Sequence, residues 1–297
     1  MRPIYKIFFS FSILITIAAL IVTVVIWRKS HGDILGADFR GGVVLELEFA
    51  GSRPNNSDIL HEFPDATVSA IGERGVIIRS SQMTDGQRES AEKVLSDRFG
   101  AVTEQRFNDV GPTVGQQLKS KSITAMILLL VTITVYLAIV FRTMRRVLSP
   151  WALGIAAIIA LLHDLIIPIG VMSLLAYYHG VEITAVFVAA ALTILGYSVS
   201  DTVVVFDRIR ENVVRKGGKE PFSQIVHQSI LQTLTRSINT SLTTLLALIA
   251  IFFFGGESIK YFALALIIGI ISGTYSSIFV ASPIIMFWHG RKLTKLI

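Results

Sequence analysis

The sequence predicts a polytopic α-helical membrane protein with six transmembrane helices and a ferredoxin-like α+β domain outside the membrane, between helices 1 and 2. Three observations predict it. Hydrophobic residues make up 52% of the 297 and charged residues 16%, with a mean hydropathy of +0.64, a profile that ordinary soluble domains do not show. Six apolar segments are each long enough to cross a hydrocarbon core of ~30 Å. Between the first two lies a stretch of mixed polarity that reads βαββαβ, the ferredoxin-like order.

The first span is Ile7 to Trp27. Arg2 and Lys6 precede it as they would a signal peptide, but it is long for such a segment. It also runs into Trp27-Arg28-Lys29 without a small-x-small cleavage site, so a retained helix is expected. The chain then divides into residues 28–121, the outer domain, and 122–297, the remaining helices with their loops and tail. In the outer domain Val43 to Phe49 alternates as a strand, and Ser57 to Phe63 reads as a short helix. Thr67 to Ile71 and Val76 to Arg79 are strands separated by a turn at Gly72-Glu-Arg-Gly75. Thr84 to Phe99 is a helix with Thr84 or Asp85 as cap and Gly100 as stop, and Val102 to Val110 closes the set. The later spans are Ile123–Phe141, Trp151–Leu175, Ile183–Phe206, Ser237–Phe254 and Tyr261–Trp288. Apolar residues at 222, 226, 230 and 234 predict a separate helix lying on the membrane surface. Gly269 and Gly273 form a small-xxx-small pair suited to close helix contact or to a lipid-facing position.

The net charge of +6 is distributed as orientation signals are, not as a nucleic-acid footprint. Arg142, Arg145 and Arg146 follow the second span; Arg208, Arg210, Arg215, Lys216 and Lys219 follow the fourth; Arg291, Lys292 and Lys295 lie in the tail. The loop at Tyr177 to Glu182 has no lysine or arginine. Both termini are therefore expected in the cytoplasm. The chain has no cysteine, which excludes disulfides, thiolate catalysis and cysteine-ligated metal. Walker A, zinc-binding His/Glu and nucleophile-elbow motifs are absent from the sequence, so no cofactor is expected and the protein is not read as an enzyme.

Chemistry-bearing residues gather in the spans. Asp201 lies six residues before the next charge, Asp207, which puts its carboxylate roughly 9 Å inside the boundary. Insertion there costs about 2.5–3.5 kcal/mol or more, so a function and a partner are expected, against a protonated or snorkelling side chain. Arg236 opens the fifth span at a similar depth. Burial favours the neutral acid and a nearby cation the carboxylate, so a pair that separates can exchange a proton; a static salt bridge is the alternative. His163-Asp164 occupies the middle of the third span, either as a relay or as a polar pair between helices. Gly36-Ala-Asp-Phe-Arg-Gly-Gly42 and Gly111-Pro-Thr-Val-Gly115 read as turns, with Asp38 as a capping residue. Asp207-Arg-Ile-Arg-Glu-Asn212 is a charge run, read equally as a solvated helix end and as a partner contact. Asp164 and Asp201 also admit an intramembrane aspartyl protease, although the Tyr-Asp and Gly-x-Gly-Asp patterns of that group are missing.

Gly196-Tyr-Ser-Val-Ser-Asp201, with Asp207, Arg208, Arg210, Glu211 and Asn212 behind it, resembles the signature of the SecD/SecF family of bacterial protein-export membrane proteins. The segment Arg236 to Thr244, the His163-Asp164 pair, the pattern Asp38-Phe-x-Gly41-Gly42 and Gly111-Pro112 to Gly115 resemble the family in the same order. One departure is Ser200, where the family usually has asparagine before the membrane aspartate; it puts a local hydrogen bond in question. The resemblance is to the SecF side of the family, a six-helix half of a proton-driven transporter of the RND superfamily. It implies an accessory subunit of the Sec translocase in the bacterial inner membrane that works with SecD. Proton exchange at Asp201 and Arg236 would help preproteins cross and leave. Its implied partners are SecD, the SecYEG translocon, YajC, the translocating preprotein and the lipid bilayer, with no nucleic acid. A scaffold that stabilises the other membrane subunits without transport is the competing class.

Overall fold

The structure, a computed structural model, describes residues 2–30, 34–64, 66–80, 83–142, 149–216 and 219–294. Arg145, Arg146 and Lys295, counted above as orientation signals, lie outside the described residues. In chain order the elements are α1 (Pro3–Lys29), α2 (Ala37–Arg40), β1 (Gly42–Phe49), α3 (Asn56–Glu62), β2 (Thr67–Ile71), β3 (Gly75–Ser80), α4 (Asp85–Phe99), β4 (Val102–Val110), α5 (Pro112–Val140), α6 (Pro150–His179), α7 (Ala185–Lys216), α8 (Phe222–Phe254), α9 (Glu257–Ser276), a π-helical turn (Ser277–Ala281) and α10 (Ser282–Thr294). Two compact units are present: Met1–Val25 with Thr124–Met172 and Phe187–Ile297, and Ile26–Ile123 with Ser173–Val186.

Among the described residues, six helices are long and apolar enough to cross a membrane. The sixth, Ile259–His289, runs through α9, the π turn and α10. Of the two positions that their spacing allows, Gly269 and Gly273 take the close helix contact. A Cβ on Gly269 would fall 2.3 Å from the Ile194 side chain, and one on Gly273 would fall 3.0 Å from Ser198 Cβ. Both pack α9 against α7.

In the other unit the strands form one antiparallel sheet in the order β2-β3-β1-β4. Val43, Leu45, Leu47 and Phe49 recur at every second residue of β1 and are all buried, as strand geometry requires of an inward face. Leu45, Leu47 and Phe49 share a core with Ile59 of α3, Ile78 of β3, and Ala91 and Leu95 at i and i+4 of α4. Thr84 caps α4: its hydroxyl accepts from the Gln87 N–H, and its own N–H donates to Gln87 Oε1, the reciprocal pair of a capping box. Gly100, at φ +95°, stops the helix.

The structure departs from the expected elements in four places. The glycine-rich segment after α1 holds a helical turn, α2, between Gly36 and Gly41. Gly111-Pro112 is where α5 starts, because proline at a first helical position loses no bond. The helix of the fourth span does not stop at Phe206 but runs to Lys216, with the charge run 207–212 as its continuation, in keeping with the helix-end reading of that run. The expected surface helix and fifth span are one helix, α8. No glycine or proline interrupts residues 222–254, and its buried stripe passes from Phe222, Val226 and Ile230 to Ser237 and Ser241 without a break. Arg236 therefore lies inside a long helix and does not open a span.

Candidate functional site

Four helices converge on the two membrane carboxylates. On α7, Ser198 and Asp201 are three residues apart and share a face. On α8, Ser229, Thr233, Ser237 and Ser241 recur at four-residue intervals, and all four are buried. The last span contributes Ser276 and Ser277 at the junction of α9 with the π turn. Pro283 follows that turn two residues on, has no N–H to give and crowds the carbonyl four residues back, that of Phe279, so the helix widens there.

Asp164 of α6 is completely buried. Its Oδ2 accepts from Ser198 Oγ at 2.5 Å and from Ser276 Oγ at 2.6 Å, and Oδ1 lies 2.8 Å from His163 Nδ1. The His163 ring stacks on Tyr275, centroids 6.2 Å apart. Asp201 is half-buried. Ser237 Oγ donates to its Oδ1 at 2.5 Å and Ser277 Oγ to its Oδ2 at 2.7 Å. Hydroxyl donors on both oxygens stabilise a carboxylate away from water.

Arg236 does not pair with Asp201 as the sequence suggests. Ser237 faces the carboxylate and its neighbour Arg236 projects ~100° away around the helix. The two charged residues instead line one cavity of about 70 Å³, together with Tyr197, Ser200, Val204 and Thr240. Tyr197 OH donates to Ser241 Oγ at 3.2 Å, and Ser241 Oγ lies 2.5 Å from Thr274 Oγ1. Around the cavity Thr193, Gly196 and Ser200 of α7 and Arg236, Asn239, Thr240 and Thr243 of α8 are all exposed. A Cβ on Gly196 would meet nothing within 4 Å.

The charged residues of the run form a helix surface, while Ile209 and Asn212 between and after them are buried. Arg208 pairs with Glu211 at 2.5 Å and Arg210 with Asp207 at 2.7 Å, pairs worth little when this exposed. Asn212 is fully buried and its Nδ2 donates to Ser229 Oγ at 2.8 Å and Gln232 Oε1 at 2.9 Å, tying α7 to α8.

The motif residues of the other unit meet the loop before α7. Asp38 Oδ2 accepts from the Ala185 N–H at 2.9 Å, capping the start of α7, and Oδ1 accepts from Asn108 Nδ2 at 3.1 Å. The Gly36 N–H donates to Ile183 O and the Ile183 N–H to Ile34 O, both at 2.9 Å. Arg79 forms an ion pair with Glu182 and donates to Ser69 Oγ at 2.7 Å and Gly180 O at 3.2 Å. Burial pushes the Glu182 carboxyl above its usual range, and Arg79 and Arg40 pull it back only in part. A folded value above the unfolded one adds stability below the ordinary midpoint of about 4.3, and that increment is lost as pH rises through the elevated value. Glu182→Gln should therefore differ from wild type in a pH-dependent way. Denaturation across mildly acidic to neutral pH is expected to show the wild-type advantage declining as pH rises, and a pH-independent difference would refute it.

The serine donors were not apparent as site residues from composition, because a hydroxyl in an apolar helix ordinarily bonds its own backbone. The signal that could have found them is the four-residue repeat at 229, 233, 237 and 241. Comparison with known proteins gives the same arrangement a context. The family model for protein export membrane proteins SecD/SecF, C-terminal, matches residues 90–291. The chain belongs to the SecD/SecF family. It is 42% identical to the protein translocase subunit SecF of Thermobaculum terrenum, over 93% of this chain and 91% of that one. It is 38% identical to SecF of Synechocystis sp., over 96% and 92%. The crystal structure of SecDF, a translocon-associated membrane protein from Thermus thermophilus, superposes with a TM-score of 0.80 at 32% identity. That match covers 96% of this chain and 38% of the SecDF chain. The relatives are named as translocase subunits, consistent with a role other than enzymatic catalysis.

Proposed function

We propose that the chain is an accessory subunit of the Sec translocase that, together with SecD, uses the proton gradient to promote preprotein movement across the bacterial inner membrane. One observation carries the reading. Asp201 sits among membrane helices with both carboxylate oxygens held by serine hydroxyls, at a cavity it shares with Arg236. An ionisable group so placed is costly and needs a purpose. The separation of Asp201 from Arg236 leaves the carboxylate free to take up a proton, and approach of the guanidinium would expel it. His163 and Asp164 form an inner pair in the same bundle.

The exposed polar face around the cavity supports a second six-helix half as the partner. Arginine, asparagine, threonine and glycine on adjoining helices are poor lipid neighbours and good helix neighbours. SecD is the partner that fits, since the SecDF relative carries this family's fold within a longer chain; SecYEG, YajC and the preprotein follow from the same role. The βαββαβ unit over residues 28–121 is read as a ferredoxin-like domain on the outer side, with both termini cytoplasmic. Lysine and arginine placement supports that orientation. Protease chemistry is disfavoured because Asp164 and Asp201 each have their own serine donors, unlike two acids sharing one proton.

The test is preprotein export into vesicles containing the complete translocase, with and without a proton gradient. Asp201→Asn and Arg236→Ala should each assemble normally, keep the gradient-independent export rate and lose the stimulation by the gradient. Full stimulation in both variants would overturn the proton role and leave the scaffold reading.

A further inference from the structure

Ser276 and Ser277 are consecutive residues, yet each hydroxyl serves a different carboxylate on a different helix. Ser276 Oγ reaches Asp164 of α6 and Ser277 Oγ reaches Asp201 of α7. Each hydroxyl also has a second acceptor within its own helix. Ser276 Oγ is 3.1 Å from Gly273 O, and Ser277 Oγ is 3.0 Å from Thr274 O. A hydroxyl has one proton to give, so each serine chooses between a carboxylate and a carbonyl.

That choice matches what a carboxyl group needs in its two forms. When Asp201 is ionised, Ser277 donates to Oδ2. When Asp201 is protonated, its new O–H can donate to Ser277 Oγ while the serine proton turns to Thr274 O. The added proton stays on Asp201, no covalent bond other than its O–H is made, and every polar atom keeps a partner. Ser276 can do the same between Asp164 and Gly273 O. Buried groups left without a partner are costly, and this arrangement avoids that cost in both states.

The two switches share a support that can shift. Ser277 begins the π turn, where the regular ladder is interrupted, and Ser282 Oγ donates to Ser277 O at 2.8 Å. A turn of this kind admits local rearrangement more readily than uninterrupted α-helix. The ionisable groups facing the pair are His163, Tyr275 and Asp164 on the inner side, and Asp201, Tyr197 and Arg236 on the cavity side. Arg236 alone among them carries a fixed charge.

We propose that Ser276 and Ser277 are positioning residues that join Asp164 and Asp201 into one coupled protonation unit, with the π turn as the element through which a change at one is felt at the other. This rests on the proton-exchange reading of Asp201. The experiment is an infrared pH titration of the carboxylic-acid C=O stretch in the full complex in membranes. Bands are assigned by their loss in Asp164→Asn and Asp201→Asn. Ser276→Ala touches only Asp164, yet it is expected to move the Asp201 midpoint by about one pH unit; Ser277→Ala should move the Asp164 midpoint likewise. Ser276→Thr and Ser277→Thr keep the hydroxyl and should restore the wild-type values. If each alanine variant moves only the carboxylate it touches, or neither, the coupling is refuted while proton exchange stands. If Asp201 does not titrate in wild type at any pH where the complex stays folded, the proton reading itself falls, and the coupling with it.

Discussion

Asp164→Ala is expected to destabilise the helical unit by about 3–5 kcal/mol, the range for removing one partner from a buried charged network. The side chain is fully buried and occupied by Ser198, Ser276 and His163. Deleting it leaves a void between α6, α7 and α9 and strands donors that have few alternatives. Ser276 can fall back on Gly273 O, which tempers the loss. Asp164→Asn keeps the shape and one acceptor oxygen, so its cost should be nearer 1–2 kcal/mol. Unfolding of both variants in detergent measures the difference. Equal, small losses would mean that the network holds little of the bundle together.

The second large effect belongs to the glycines where α2, β1 and α5 meet. Gly41 has φ +81°, and a Cβ there would lie 2.7 Å from Pro112 Cα. A Cβ on Gly115 would lie 2.9 Å from Gly41 N and 3.1 Å from the Phe39 carbonyl. These contacts are with backbone, which cannot rotate away. Gly41→Ala adds strain in a left-handed conformation to the clash. Each substitution is expected to cost about 2–4 kcal/mol, whereas Gly111→Ala, which would meet nothing within 4 Å, should stay within about 0.5 kcal/mol. Thermal unfolding of the three variants separates them. A Gly111→Ala loss as large as the others would show that general helix-start effects dominate over the close approach.

Hydropathy made the six spans legible because each must satisfy its backbone internally across a fixed thickness. Strand alternation at residues 43–49 and the Thr84 cap were legible for equally local reasons. What escaped was non-local. Asp38 caps a helix that begins 147 residues later, a relation no window on the sequence contains. Similar depth and the family resemblance both point to an Asp201–Arg236 pair, but side-chain direction around α8 turns Ser237 inward and Arg236 aside. The serine donors escaped because small hydroxyls neither raise nor lower hydropathy enough to mark a helix. The continuity of α8 escaped because its buried stripe changes chemistry halfway, from apolar residues to hydroxyls, while its geometry does not.

The exposed band of Arg236, Asn239, Thr240 and Thr243 beside Thr193, Gly196 and Ser200 bears on how the subunit is supplied to the cell. If the second half proposed above covers this band, a copy inserted without it would present the band to lipid, where polar side chains are penalised. Such an orphan would be marginally stable and open to membrane proteases. The membrane itself would then select against copies left without that cover.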